Sequence, residues 1–151
     1  MKILTVCLGN ICRSPAAQGI LEYIAEVRSI PVTIDSAGTA AYHIGNQPDQ
    51  RSIKALKEIG IDISTQRARK VCTQDFYDFD WILVMDRQNL SNLMEIMPTD
   101  ASARVVMFGE FDGTAQYGEV SDPYYGREAG FTLMREHLVQ IAEDFFGKHY
   151  E

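Results

Sequence analysis

With 151 residues, 46% of them hydrophobic and 23% charged, the chain is long enough to bury a core without disulfide or metal staples, and one domain over residues 1–151 is expected. A formal net charge of −7 and a pI near 4.9 exclude the basic footprint that nucleic acid or an anionic membrane requires, so any anion must be held by a local positive site. No apolar run approaches the roughly 18 residues of a spanning helix, no signal-peptide pattern opens the chain, and three cysteines are too few for a disulfide scaffold; a cytoplasmic protein with reduced thiols is the expectation.

The elements follow in chain order. Lys2 to Val6 reads as a short buried strand that stops at Cys7, and a loop follows. Ser14 and Pro15 signal a helix start, with Ala17, Ile20, Leu21, Ile24 and Val27 at helical spacing as far as Ser29. Val32 to Ser36 is a second strand and Ala37 to Gln47 a loop. Asp49 to Ile59 is a helix stopped by Gly60. After the basic stretch of Arg67, Arg69 and Lys70 come a short helix (Thr73 to Tyr77), a strand (Trp81 to Met85) and a helix from Asp86 to Met97 that Pro98 ends. Arg104 to Phe108 is the fourth strand. A long polar loop from Gly109 to Tyr125 precedes a final helix from about Gly126 to Phe146.

Short apolar strands alternating with helices imply α/β architecture: a single three-layer domain with a four-stranded parallel sheet flanked by helices. Ligands gather at the carboxyl ends of such strands, where the Cys7 loop and the Gly109 to Tyr125 loop both emerge.

The first loop, CLGNICRSP, carries the strongest chemical signal. Five residues separate the Cys7 thiol from the Arg13 guanidinium, and a helix begins directly behind them. A loop of that length can turn its backbone N–H groups inward, and the helix dipole adds positive charge at the same point; the result is a cradle for a tetrahedral oxyanion. Gly9 eases one tight position, and Arg13 can grip two oxygens through its fork of donors. The same field favours thiolate over thiol at Cys7, and Ser14 is placed to donate a hydrogen bond to it. The chemistry suggested is attack of Cys7 on phosphorus, with the loop N–H groups and Arg13 holding the transition-state oxygens. Zinc binding would want a second ligand pair, but Cys72 stands alone and His43, His137 and His149 are scattered. A Walker-type loop would want Lys-Ser or Lys-Thr after its second glycine, which GNICRS lacks. Buried thiols in a plain turn would leave both Arg13 and the strand-loop-helix context unexplained.

Val6 to Pro15 (VCLGNICRSP) resembles the signature loop of the low-molecular-weight protein tyrosine phosphatases, and Asp122 to Gly126 (DPYYG) resembles their general-acid loop. DSAGT (Asp35 to Thr39), YHIG (Tyr42 to Gly45) and MDRQN (Met85 to Asn89) match in order between them. The resemblance implies a metal-independent phosphotyrosine hydrolase with no cofactor, acting through a cysteinyl-phosphate intermediate. Cys7 would be the nucleophile, Arg13 the phosphate clamp, Ser14 the thiolate partner, and Asn10 the side chain that holds the loop in shape. Asp122 would protonate the leaving oxygen and then activate water, and the rate should peak on the acid side of neutrality. Cys12 would pair reversibly with Cys7 under peroxide. Leu8, Ile11, Tyr42, Tyr124 and Tyr125 are the expected cleft walls. Gln66 stands where many relatives have a His that braces the loop asparagine. Relatives acting on phosphoarginine carry Thr at the place of Ile11, which favours phosphotyrosine here. Arsenate reduction on the same scaffold uses two further cysteines, where this chain has only Cys72. A non-catalytic phosphate-binding or redox module is the other alternative. The implied partner is a phosphotyrosine-bearing protein, which for bacterial members would be a tyrosine kinase.

Overall fold

In the computed structural model, which describes residues 1–112, 118–124 and 126–150, a parallel sheet runs in the order β2-β1-β3-β4. Its strands are β1 (Lys2–Cys7), β2 (Thr33–Gly38), β3 (Trp81–Val84) and β4 (Arg104–Met107). The helices are α1 (Arg13–Val27), α2 (Gln50–Lys57), α3 (Asp75–Asp78), α4 (Arg87–Ile96) and α5 (Glu128–Tyr150).

Both faces of the sheet are covered, which is why the strands read as continuous apolar runs. Along β1 and β3 the side chains alternate between two cores. Ile3, Trp81 and Leu83 pack with α1 and α5 residues such as Ile20, Leu21, Leu138 and Phe145, while Leu4, Val6, Ile82 and Val84 pack with Phe76, Leu93 and Met107 on the other side. Burying each such Leu, Ile or Phe contributes about 2 kcal/mol.

The chain crosses from β2 back over β1 to β3, so the strand order reverses beside β1. The crevice outside the carboxyl end of β1 is therefore the topological switch point where open α/β sheets bind ligands.

Several boundaries differ from expectation for local reasons. Helix α1 begins at Arg13, with Cys12 at the N-cap making no side-chain cap, so Ser14 lies inside the first turn and its hydroxyl faces Cys7 instead of capping. Asp49 caps α2 by accepting the Arg51 N–H. The long polar loop opens with a 3₁₀ turn, Phe108–Phe111, whose buried Phe108 and half-buried Phe111 continue the core beyond β4. Helix α5 runs four residues past the expected Phe146, where His149 packs against Trp81 and Phe111.

Candidate active site

The loop from Leu8 to Cys12 joins β1 to α1, and the carbonyls of Cys7, Leu8, Ile11 and Cys12 are taken up by partners outside the loop. Cys7 O accepts from Thr39 N (2.9 Å), Leu8 O from Ala40 N (2.9 Å), Ile11 O from Asp49 N (2.8 Å), and Cys12 O from Ala16 N (3.3 Å) and Ser52 Oγ (3.1 Å). In a trans peptide the N–H points opposite to the carbonyl, so the N–H groups of Leu8, Gly9, Cys12 and Arg13 face the concave side. With the N-terminus of α1 behind them, they form a positively polarised nest suited to an oxyanion.

Gly38 lets the loop lie against β2, since a Cβ there would stand 2.8 Å from Leu8 O and 3.1 Å from Asn10 N. The left-handed position in the loop is Asn10 (φ 57°), not Gly9. Gly9 instead makes room for a ring: a Cβ on it would come within 2.9 Å of His43 Cδ2.

Asn10 is 2% exposed and ties three elements together. Its Nδ2 donates to Ser14 Oγ at 2.8 Å and Ser36 Oγ at 2.9 Å, and its Oδ1 accepts the Arg69 N–H at 3.0 Å. Arg69 is held in turn by Asp35 and, through two nitrogens, by Asp75. Ser14 Oγ already accepts from Asn10, and its closest remaining partner is Cys7 Sγ at 3.0 Å, against 3.4 Å to Ala37 O. At that distance the hydroxyl can donate its one proton to a Cys7 thiolate. Gln66 makes no hydrogen bond to Asn10: its Nε2 donates to Pro15 O at 3.1 Å, and Asn10 Oδ1 accepts from the Arg69 backbone instead.

Arg13 is almost wholly buried, with one edge fixed. Nη1 donates to Asp86 Oδ2 (2.7 Å) and to Val120 O (2.9 Å), while Nη2 lies 3.6 Å from Asp122 Oδ2. Burial works against the charge, but the Cys7 sulfur and the Asp86 hydrogen bond outweigh it and strengthen the hold on the proton. Asp86 has two tasks, since its Oδ1 also accepts the Asn89 N–H in the capping box of α4.

One cleft of about 240 Å³ is lined by Cys7, Leu8, Gly9, Ile11, Cys12, Arg13, Tyr42, His43, Asp122 and Tyr124. Tyr42 and Leu8 stand exposed at its mouth, and Ile11 is buried at its side. Tyr125 lies outside the described residues. Burial, then the charges of Asp49, Cys7 and Asp122, push the Cys12 thiol well up and keep it protonated.

Sequence reasoning gave His43, Asp86 and Arg69 no part in this site. His43 packs edge-on to Tyr42 and tilted against Tyr124, with ring centroids at 6.4 and 6.2 Å. Its adjacency to Tyr42 was the available signal. For Asp86 it was the Asp-x-x-Asn capping pattern directly after β3.

The family model for low molecular weight phosphotyrosine protein phosphatases matches residues 2–149. The chain belongs to this family of phosphatases. The phosphatase of that name from Schizosaccharomyces pombe is 41% identical over 148 residues, covering 96% of this chain and 94% of its own. The crystal structure of a protein tyrosine phosphatase from Entamoeba histolytica superposes with a TM-score of 0.93 at 37% identity, covering 99% of this chain and 96% of that one. The Drosophila arginine phosphatase superposes with a TM-score of 0.95 at 30% identity, covering 100% and 99%.

Proposed function

We propose that the protein hydrolyses phosphotyrosine through a cysteinyl-phosphate intermediate. The observation that carries this reading is the convergence of Cys7, its Ser14 partner at 3.0 Å, the anchored Arg13 and the Asp122 carboxylate on one cleft. The phosphate oxygens lie on the loop N–H groups and on the Nη2 edge of Arg13. The Cys7 sulfur forms its bond to phosphorus as the ester oxygen leaves. A phosphate dianion takes over the Arg13 edge that Asp122 faces; the acid is then the protonated Asp122 carboxyl beside the departing phenolate, and it gives the phenolate that proton and becomes the carboxylate. The resulting carboxylate draws a proton from water, the oxygen attacks phosphorus, and Cys7 and inorganic phosphate are released.

Tyr42, His43, Tyr124 and Ile11 supply an apolar and aromatic wall that matches a phenyl ring. The acting partner is a phosphotyrosine-bearing protein in the cytoplasm, a tyrosine kinase if the source is bacterial. The likeness to an arginine phosphatase favours phosphoarginine as the second reading.

Turnover measured side by side in EDTA on phosphotyrosine, phosphoserine and phosphoarginine peptides decides between them. Phosphotyrosine turnover that Cys7→Ser abolishes is the expected result. Preference for phosphoarginine establishes the second reading, and phosphate binding without turnover refutes both.

A further inference from the structure

Residues 49–52 belong to neither the Cys7 loop nor the Asp-Pro loop, yet they bond to both. The Asp49 N–H and the Ser52 hydroxyl donate to Ile11 O and Cys12 O, which fixes the rim of the phosphate nest. From the same turn the Arg51 guanidinium reaches across to the Asp-Pro loop. Nη2 donates to Tyr124 O at 2.8 Å and Nη1 to Gly126 O at 2.9 Å. Nε and Nη2 also lie on the two oxygens of Asp49, at 3.0 and 2.9 Å, and the guanidinium sits over the Phe131 ring of α5, 4.5 Å from its centroid.

Asp122 stands between two anchors. On one side Val120 is pinned by its N–H to Met85 O (2.7 Å) and by its carbonyl to Arg13 (2.9 Å). On the other, the Tyr124 N–H donates to Asp122 Oδ1 (3.0 Å), and Arg51 holds the carbonyl of the same residue. Because Asp122 is 40% exposed, neighbouring bulk does little to place it, and its position is set by those anchors.

We propose that Arg51 is a positioning residue for proton transfer: the Asp49–Arg51 fork is the strut that sets the Asp122 carboxyl relative to Cys7. This rests on the assignment of Asp122 as the proton donor. A fork is required because one guanidinium must lie flat on a carboxylate and bond two carbonyls at once, which a lysine ammonium cannot do.

The test compares kcat and KM on phenyl phosphate and p-nitrophenyl phosphate for the wild type, Arg51→Met, Asp122→Asn and the double variant. Arg51→Met keeps an apolar stem over Phe131 and removes the fork. The expected result is a kcat on phenyl phosphate lower by about tenfold to a hundredfold, a smaller loss on p-nitrophenyl phosphate, whose leaving group needs the proton less, and little change in KM. The double variant should be no slower than Asp122→Asn alone, because a strut has no effect once its load is gone. Equal losses on both esters, or a further loss in the double variant, overturn the proposal and leave Arg51 a structural residue. If Asp122→Asn itself shows no leaving-group selectivity, the acid assignment fails and the strut fails with it. Should Arg51→Met not fold, Arg51→Lys decides by the same ratio of losses, since it keeps the charge and lacks the fork.

Discussion

Asn10→Ala tests the bracing of the phosphate nest. The side chain makes three hydrogen bonds, to Ser14, to Ser36 and from the Arg69 N–H, in a place with almost no solvent to replace them. At about 1 kcal/mol each, their loss comes to about 3 kcal/mol. Alanine must also adopt φ 57°, which asparagine tolerates and alanine resists by about 1 kcal/mol more. The sum of about 4 kcal/mol is a large share of the roughly 5–15 kcal/mol that holds a domain folded. At about 2–4 °C per kcal/mol for a chain of this size, the midpoint of thermal unfolding should fall by about 8–16 °C. Gln66→Ala, removing one partly exposed bond to Pro15 O, should cost no more than about 1 kcal/mol and serves as the control. Calorimetry of both variants is the assay. An Asn10→Ala loss under about 1 kcal/mol would show that the loop keeps its shape without this side chain and would refute the bracing argument.

Three further outcomes can be checked. Asp86→Asn keeps a cap for α4 but removes the charge beside the buried Arg13, so the midpoint should drop, by about 2 kcal/mol in stability, and inorganic phosphate should recover more of it than in the wild type by supplying an anion to Arg13; equal stabilisation of both proteins by phosphate would contradict this. Because burial holds the Cys12 thiol protonated, iodoacetamide near neutral pH should label Cys7 well before Cys12, as read by peptide mass mapping, and raising the pH should speed labelling at Cys12; preferential labelling of Cys12 would count against it. Burial alone would raise Asp49, but its hydrogen bonds with Arg51 outweigh this and hold the carboxyl below its usual range. Its stabilising contribution is therefore complete above about pH 4 and lost as pH falls through the folded value. The stability gap between wild type and Asp49→Asn should narrow as the pH is taken below about 4, and a gap that stays constant would show that the carboxylate charge is not what Arg51 uses.

The fold was legible because its two controlling signals are local. Alternating apolar strands and amphipathic helices state α/β architecture residue by residue, and Asp49, Asp86, Gly60 and Pro98 punctuate the helices close to where the structure has them. The errors fall where tertiary contacts override local preference. Ser14 is a good N-cap by composition, but Asn10 and Cys7 claim its hydroxyl, so the helix starts one residue earlier without a side-chain cap. The α5 terminus extends because Trp81, Phe111 and Phe145 surround His149, and no sequence window contains all four.

The site divides along the same line. Cys7, Arg13 and Ser14 fall within eight residues, so their common purpose can be read from spacing and from the dipole of the helix they begin. What holds them does not fall together: Ser36, Arg69, Asp86, Val120 and Arg51 come from separate elements, and each is an ordinary polar or apolar residue in its own segment. Arg69 shows why composition misleads here. As one of three basic residues in a polar stretch it reads as solvated surface, whereas in the fold it joins Asp35 of β2 to Asp75 of α3 and gives its backbone N–H to Asn10. A short phosphate loop cannot satisfy its own carbonyls while aiming its N–H groups at one point, so the partners must arrive from distant sequence. The chemistry of such a site is written locally, and its rigidity is written in long-range pairs.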